Sequence, residues 1–266
     1  MRDPVSVCGV PGTESMSPSS DPSVNRSRKA IPPHERLIVA LDMPGRERAL
    51  ALVDALGDSV VFYKLGLELF MSSDSYFDLV AELQARGKKV FVDLKFFDVP
   101  ETVAAAVRQL RSRHVEFVTV HGNQEMVAAA AQEKNGLKIL AVTVLTSLDQ
   151  MDIEDLGFQV DVDDLVLSRA RRAMAAGADG VISSGVEAPA LRSSMGDELV
   201  IVTPGIRPVL NRLVDDQKRT VDVEQAFLGG ADYVVVGRPI RDAPNPKAAA
   251  DDIQRRIAAL FDASPG

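Results

Sequence analysis

The sequence is poor in the residues that most often build metal centres and disulfides. In 266 residues it has one cysteine, Cys8, no tryptophan and three histidines. A lone cysteine excludes an intramolecular disulfide and any multi-cysteine metal site. His34, His114 and His121 are scattered, and no zinc site is expected from them. A basic excess is also missing: 30 Lys plus Arg stand against 38 Asp plus Glu, for a formal charge of −8. That argues against nucleic acid as a partner. It leaves room for a small anionic ligand, which a few placed cations can hold. No apolar run, the stretch 139–145 included, approaches the ~20 residues needed to span a bilayer. The first residues lack a continuous apolar core and are broken by Pro4, Pro11, Pro18 and Pro22, so no secretory signal and no membrane partner are expected. These absences read as a soluble protein of a reducing, cytoplasmic compartment.

What is present divides into two parts. Residues 1–34 carry seven serines (Ser6, Ser15, Ser17, Ser19, Ser20, Ser23 and Ser27) and six prolines, with almost no apolar periodicity. Such a segment buries too little surface to offset its ordering entropy. It reads as a disordered, dispensable extension, with Met16 as an alternative start. The remainder, 35–266, is apolar enough for a sizeable core; over the whole chain 46% of residues are hydrophobic. No disulfide or structural metal is needed to hold it.

From Leu37 onward, short apolar runs alternate with helix-like stretches. Strands are predicted at 37–42, 60–64, 90–95, 117–121, 138–143, 180–183, 200–203 and 233–236. Helices are predicted at 46–56, 74–86, 101–112, 124–134, 162–176, 188–194, 223–228 and 246–262, where apolar residues follow a 3.6 period. Eight such units in one α/β domain match a (β/α)8 TIM barrel. A doubly wound open sheet is the structural alternative, weakened because no GxGxxG follows the first strand. Residues 144–161 and 204–221 are longer than a connection requires and are candidate active-site loops.

Charge interrupts the strands in one place, their C-terminal ends. Side chains at i and i+2 share a face. Phe91, Asp93 and Lys95 therefore point together, Asp42 aligns with Ile38 and Ala40, and Lys64 aligns with Phe62. His121 aligns with Thr119, and Arg238 follows Val234 and Val236. Barrel active sites are built on this rim. Lys64 comes from strand two, and Asp93 and Lys95 from strand three, which is its neighbour in a barrel. A Lys–Asp–Lys array would satisfy its own charges, whereas an isolated inward charge is costly. Asp98, just before Pro100, can also be read simply as a helix cap. Gly237 and Arg238 end strand eight, where phosphate sites recur in this fold, and the 203–208 loop with Arg207 is its companion.

Together these segments resemble the orotidine 5′-phosphate decarboxylase family, in its bacterial-type subgroup. The segment 93–102, DLKFFDVPET, is similar to that family's DxKxxDIPxT signature. VALD at 39–42, YKLG at 63–66, AVTVLTS at 141–147, VTPGIRP at 202–208, DQKR at 216–219 and GRP at 237–239 follow in family order. Phe97 departs from the histidine of many bacterial members and reads as a packing change.

The resemblance implies decarboxylation of orotidine 5′-phosphate to UMP with no cofactor and no metal, in pyrimidine biosynthesis. Lys95 would protonate the C6 carbanion, and Asp93 would lie beside the substrate carboxylate. Lys64 and Asp98 would keep Lys95 charged and oriented. Asp42 and Lys64 would contact the ribose and Thr146 the pyrimidine. Arg207, Gln217, Gly237 and Arg238 would serve the phosphate and the closing loops. Asp98 and Thr102 would come from the partner subunit, which implies a homodimer with shared sites.

Two other readings compete. One is a sibling enzyme acting on a keto-sugar phosphate with Mg²⁺, which would share the DxK core and a phosphate loop. The other is a catalytically silent barrel, which the intact Lys95 disfavours.

Overall fold

The computed structural model describes residues 25–72, 75–206 and 221–262. Eight parallel strands close into a barrel in sequence order, β1 Leu37–Ala40, β2 Phe62–Gly66, β3 Lys89–Phe96, β4 Phe117–His121, β5 Lys138–Val142, β6 Gly180–Ile182, β7 Val200–Thr203 and β8 Tyr233–Val236. β1 pairs with both β2 and β8, which completes the ring. All eight predicted strands are present, and the open-sheet alternative is excluded by this closure.

The helices between them are α1 Arg46–Leu56, α2 Leu67–Ser72, α3 Tyr76–Ala85, α4 Pro100–Arg111, α5 Gln124–Glu133, α6 Gln150–Asp155, α7 Val162–Ala175, α8 Ala188–Met195, α9 Val223–Leu228, α10 Arg238–Arg241 and α11 Pro246–Phe261. α1 buries Ala49, Leu52, Val53 and Leu56, the single stripe that its spacing demands. α4 begins with Pro100, whose missing N–H costs nothing in a first helical turn. Three short helices were not anticipated from the sequence. α2 continues directly from β2, α10 follows β8 after Gly237, and α6 lies inside the expected 144–161 loop. α6 is held by a capping box in which Asp149 and Asp152 satisfy each other's backbone N–H groups.

The core has two layers. Strand residues of one parity pack outward under the helices. Those of the other parity, including Ile38, Phe62, Phe91, Phe117 and Tyr233, fill the barrel interior. Phe62, Phe117 and Tyr233 meet edge-on or tilted, with centroids 5.2–5.9 Å apart. This packed plug fills the barrel interior beneath the C-terminal mouth, the end at which ligands bind in this fold.

The N-terminal expectation needs correction at its boundary. Residues 1–24 lie outside the described residues, but 25–34 are packed rather than disordered. Ser27 Oγ donates to Asp232, and Lys29 Nζ lies 3.0 Å from Asp232 Oδ2. Asp232 is wholly buried and also pairs with Arg192 at 2.8 Å. A composition rich in serine and proline concealed this anchor, because only the fold brings a buried carboxylate to it. Among the described residues, no helix is long and apolar enough to cross a membrane.

Candidate active site

The inward parity of β2 and β3 carries the charges. Two residues above Phe62 stands Lys64, and two above Phe91 stands Asp93. Lys64 Nζ lies 2.9 Å from Asp42 Oδ1 and 3.2 Å from Asp93 Oδ2. Lys95 Nζ lies 2.8 Å from Asp93 Oδ1. Asp93 thus sits between two ammonium groups, as the alternating array requires. Gly66 leaves room for the first pair: a Cβ there would stand 3.0 Å from Asp42 Oδ1 and 3.2 Å from Lys64 Nζ.

These charges tune one another. Burial alone would raise the Asp93 pKa, but Lys64 and Lys95 outweigh it, helped by hydrogen bonds from Lys95 and Thr119, and bring it down to about 2. Burial alone would lower Lys64, but Asp93 and Asp42 outweigh it and hold that ammonium above the ordinary lysine value. Near neutral pH the Asp93 carboxylate and the Lys64 ammonium are therefore both ionised.

The array lies in a cleft of about 560 Å³ at the barrel mouth, a size suited to a small organic ligand. Asp42, Lys64, Asp93, Lys95, Thr146, Gly237 and Arg238 all line it, together with Pro204 and Gly205. Arg207 and Gln217 lie outside the described residues. A second hollow, of about 740 Å³, is lined by residues between Gln150 and Asp164 and carries Glu154, Asp161 and Asp164 but no cation. Its charge makes it a poor seat for an anion.

Two placements differ from the sequence reading. Arg238 does not reach the mouth by strand parity, since Val234 and Val236 pack outward. The inward line is Tyr233, Val235 and Gly237, and the chain turns into α10 at Gly237, which brings Arg238 to the cleft. Asp98 is not the cap of α4 either. Val99 holds that position, and Asp98 Oδ1 accepts the adjoining Val99 N–H, at 2.7 Å. Asp98 and Thr102 are exposed and do not line their own chain's cleft. Among the described residues, Asp93 is the carboxylate paired with Lys95.

The sequence reading missed two side chains. Thr119, wholly buried on β4, donates its hydroxyl to Asp93 Oδ1 and accepts the Lys95 backbone N–H, both at 2.9 Å. Its inward parity with Phe117 and His121 was the available signal. Arg241, on α10, lines the cleft and donates to the Asp42 carbonyl. Only the unforeseen helix α10 reveals it. Phe97 meets His121 edge-on, with ring centroids 4.9 Å apart. His121 is lowered from the ordinary imidazole value by burial and then by Arg169 and Lys95. Among the described residues, no cluster of three or more His, Cys, Asp or Glu side chains is placed to hold a metal ion.

The chain is similar to known proteins over most of its length. The profile described as "Orotidine 5'-phosphate decarboxylase / HUMPS family" matches residues 35–253. A protein of Methylococcus capsulatus named orotidine 5'-phosphate decarboxylase is 63% identical over 88% of this chain and 97% of its own. One of Xanthomonas euvesicatoria with the same name is 51% identical over 90% of this chain and 98% of its own. A crystal structure titled as orotidine 5'-phosphate decarboxylase from Lactobacillus acidophilus superposes with a TM-score of 0.73 at 35% identity. It covers 84% of this chain and 99% of that one.

Proposed function

The chain belongs to the orotidine 5′-phosphate decarboxylase / HUMPS family, and from that premise we propose that it converts orotidine 5′-phosphate to UMP and CO₂ in pyrimidine biosynthesis. The observation that carries this reading is the Lys64–Asp93–Lys95 array in a cleft that also holds Arg238.

The bond from C6 to the carboxylate breaks, CO₂ leaves and the electron pair stays on C6 in the ring plane. No ring π-system can delocalise it, so stabilisation must come from fixed charge. Lys95 supplies that charge and then its proton to C6; the neutral amine recovers a proton from solvent. Lys95 suits this role better than Lys64, because among the described residues Lys64 is buried and held by two carboxylates, whereas Lys95 is paired with one and is more open to the cleft. Asp93 lies beside the substrate carboxylate, and their repulsion falls as CO₂ departs. Asp42 and Lys64 face the ribose and Thr146 the pyrimidine, while Arg207, Gln217, Gly237 and Arg238 serve the phosphate and the closing loops. Energy from the remote phosphate is used to bind the transition state.

The site is completed by Asp98 and Thr102 of the partner subunit in a homodimer. Support comes from the exposure of Asp98 and Thr102 outside their own cleft, next to solvent-facing Phe97 and Val99, which are 62% and 63% exposed. Such apolar residues mark a surface to be covered.

The test is decarboxylation of orotidine 5′-phosphate by the purified protein in the presence of a metal chelator. Turnover supports the reading. Turnover of a keto-sugar phosphate that requires added divalent metal favours the sugar-phosphate sibling instead, and no turnover of orotidine 5′-phosphate overturns the assignment.

A further inference from the structure

β3 and β4 do not run in simple register. Val92 pairs with Val118, and the next pair is Phe96 with Val120. Asp93, Leu94 and Lys95 are therefore opposed by Thr119 alone, so β3 carries two residues more than β4 across this stretch. Lys95 takes up the excess with φ +49°, in the left-handed region that a lysine rarely enters. Its N–H has lost its place in the ladder, and Thr119 Oγ1 accepts it at 2.9 Å. The same oxygen lies 2.9 Å from Asp93 Oδ1.

The direction of both bonds is settled by chemistry. A backbone N–H can only donate, and an ionised carboxylate can only accept. The Thr119 hydroxyl proton is thus committed to Asp93, and its lone pair to Lys95. One buried oxygen ties the carboxylate of one site residue to the main chain of another.

We propose that Thr119 is a positioning residue for the reaction, holding the Asp93 carboxylate and the Lys95 main chain so that the Lys95 ammonium is aimed at the reacting carbon. This rests on the decarboxylase reading above. Without the hydroxyl, the Lys95 N–H loses its acceptor and the left-handed turn loses its restraint. The ammonium then drifts from its line, and a misplacement near 1 Å costs on the order of 100-fold in rate. Affinity should change little, because the hydroxyl is wholly buried and is not among the cleft-lining groups.

Thr119→Val, which keeps the branched shape, and Thr119→Ala are compared with Thr119→Ser, which keeps the hydroxyl. Both hydroxyl-free variants are expected to lose about 10- to 100-fold in kcat with KM within about threefold. Thr119→Ser should return kcat to within about threefold of wild type. Should Thr119→Val not fold, Thr119→Ala against Thr119→Ser gives the same comparison. A ¹³C-detected titration of the Asp93 carboxyl in the unliganded protein supplies a readout apart from turnover. It should move upward in Thr119→Val or Thr119→Ala and stay in place in Thr119→Ser. Wild-type kcat in the hydroxyl-free variants, or equal losses in all three, overturns the role of Thr119 and leaves the decarboxylase reading standing. Absence of turnover in the wild type overturns that reading instead, and the titration still shows whether Thr119 grips Asp93.

Discussion

Lys95 Nζ and Asp93 Oδ1 are 2.8 Å apart although their residues are separated by a single position on one strand. Strand parity puts both side chains on the inward face. Lys95 itself has a left-handed backbone, with φ +49°. Lys95 keeps part of its surface open to the cleft while Asp93 is nearly closed off, with side chains 31% and 10% exposed. The carboxylate is thus a fixed anchor, and the ammonium is the group a substrate can reach.

Replacing that ammonium should abolish chemistry without unfolding the barrel. Lys95→Ala is expected to lower turnover by roughly 10³-fold or more, since it removes both a proton donor and a fixed charge. Asp93 keeps Lys64 as its partner, so circular dichroism and the thermal midpoint should stay near wild type. Near-normal turnover by this variant would rule out Lys95 as the donor.

Asp93 should make stability pH-dependent on the acid side. Its pKa is depressed from 3.8 to about 2, so the ionised form is preferred in the fold. The associated stabilisation, roughly 2 kcal/mol, is complete above the unfolded value and is lost as pH falls from about 4 through 2. Urea unfolding at a series of pH values, on wild type and Asp93→Asn, checks this. The variant should show a shallower acid slope, and equal slopes would contradict the depressed pKa.

Arg238 should act through binding. Arg238→Ala is expected to raise KM about 10- to 100-fold, the cost of a lost charge-assisted contact, with a smaller effect on kcat. Inhibition by inorganic phosphate should weaken in parallel. An unchanged KM would remove Arg238 from the phosphate site.

Shared sites can be tested by mixing two defective proteins. Lys95→Ala and Asp98→Ala would each be inactive alone. After joint unfolding and refolding, a mixed dimer would hold one intact site, and random pairing returns about one quarter of wild-type activity for a two-fold dimer. No recovery would show that Asp98 does not cross between subunits.

The N-terminal anchor separates two truncations. Removing residues 1–24 should leave activity and thermal stability unchanged. Removing 1–30 takes away Ser27 and Lys29, two of the partners of buried Asp232. It is expected to cost about 2–4 kcal/mol, or roughly 5–15 °C in Tm for a chain of this size. Equal midpoints for the two truncations would mean that the anchor is not energetically important.

The architecture was legible because each element carries its own period. The spacing of Ala49, Leu52, Val53 and Leu56 specifies a helix face without reference to anything distant, and eight such units admit few closures. Lys64, Asp93 and Lys95 were legible for a related reason, since polar side chains at the ends of apolar strands stand out against the local pattern. Thr119 did not stand out, because threonine is an ordinary strand residue. Its significance depends on which residue of β3 it opposes, and inter-strand register is a long-range property. Arg238 was found for the wrong local reason, as strand parity does not extend through the turn at Gly237.

By itself, then, the sequence determined the order of strands and helices, the inward parity of the charged ends of β2 and β3 and the resemblance those residues carry, all of them matters of local spacing. Only the tertiary structure decided that Lys95 sits in a left-handed turn, that one Thr119 oxygen joins it to Asp93, and that Ser27 and Lys29 meet Asp232 across more than 200 residues. Those contacts exist because barrel closure brings distant segments together, and no local pattern encodes which segments will meet.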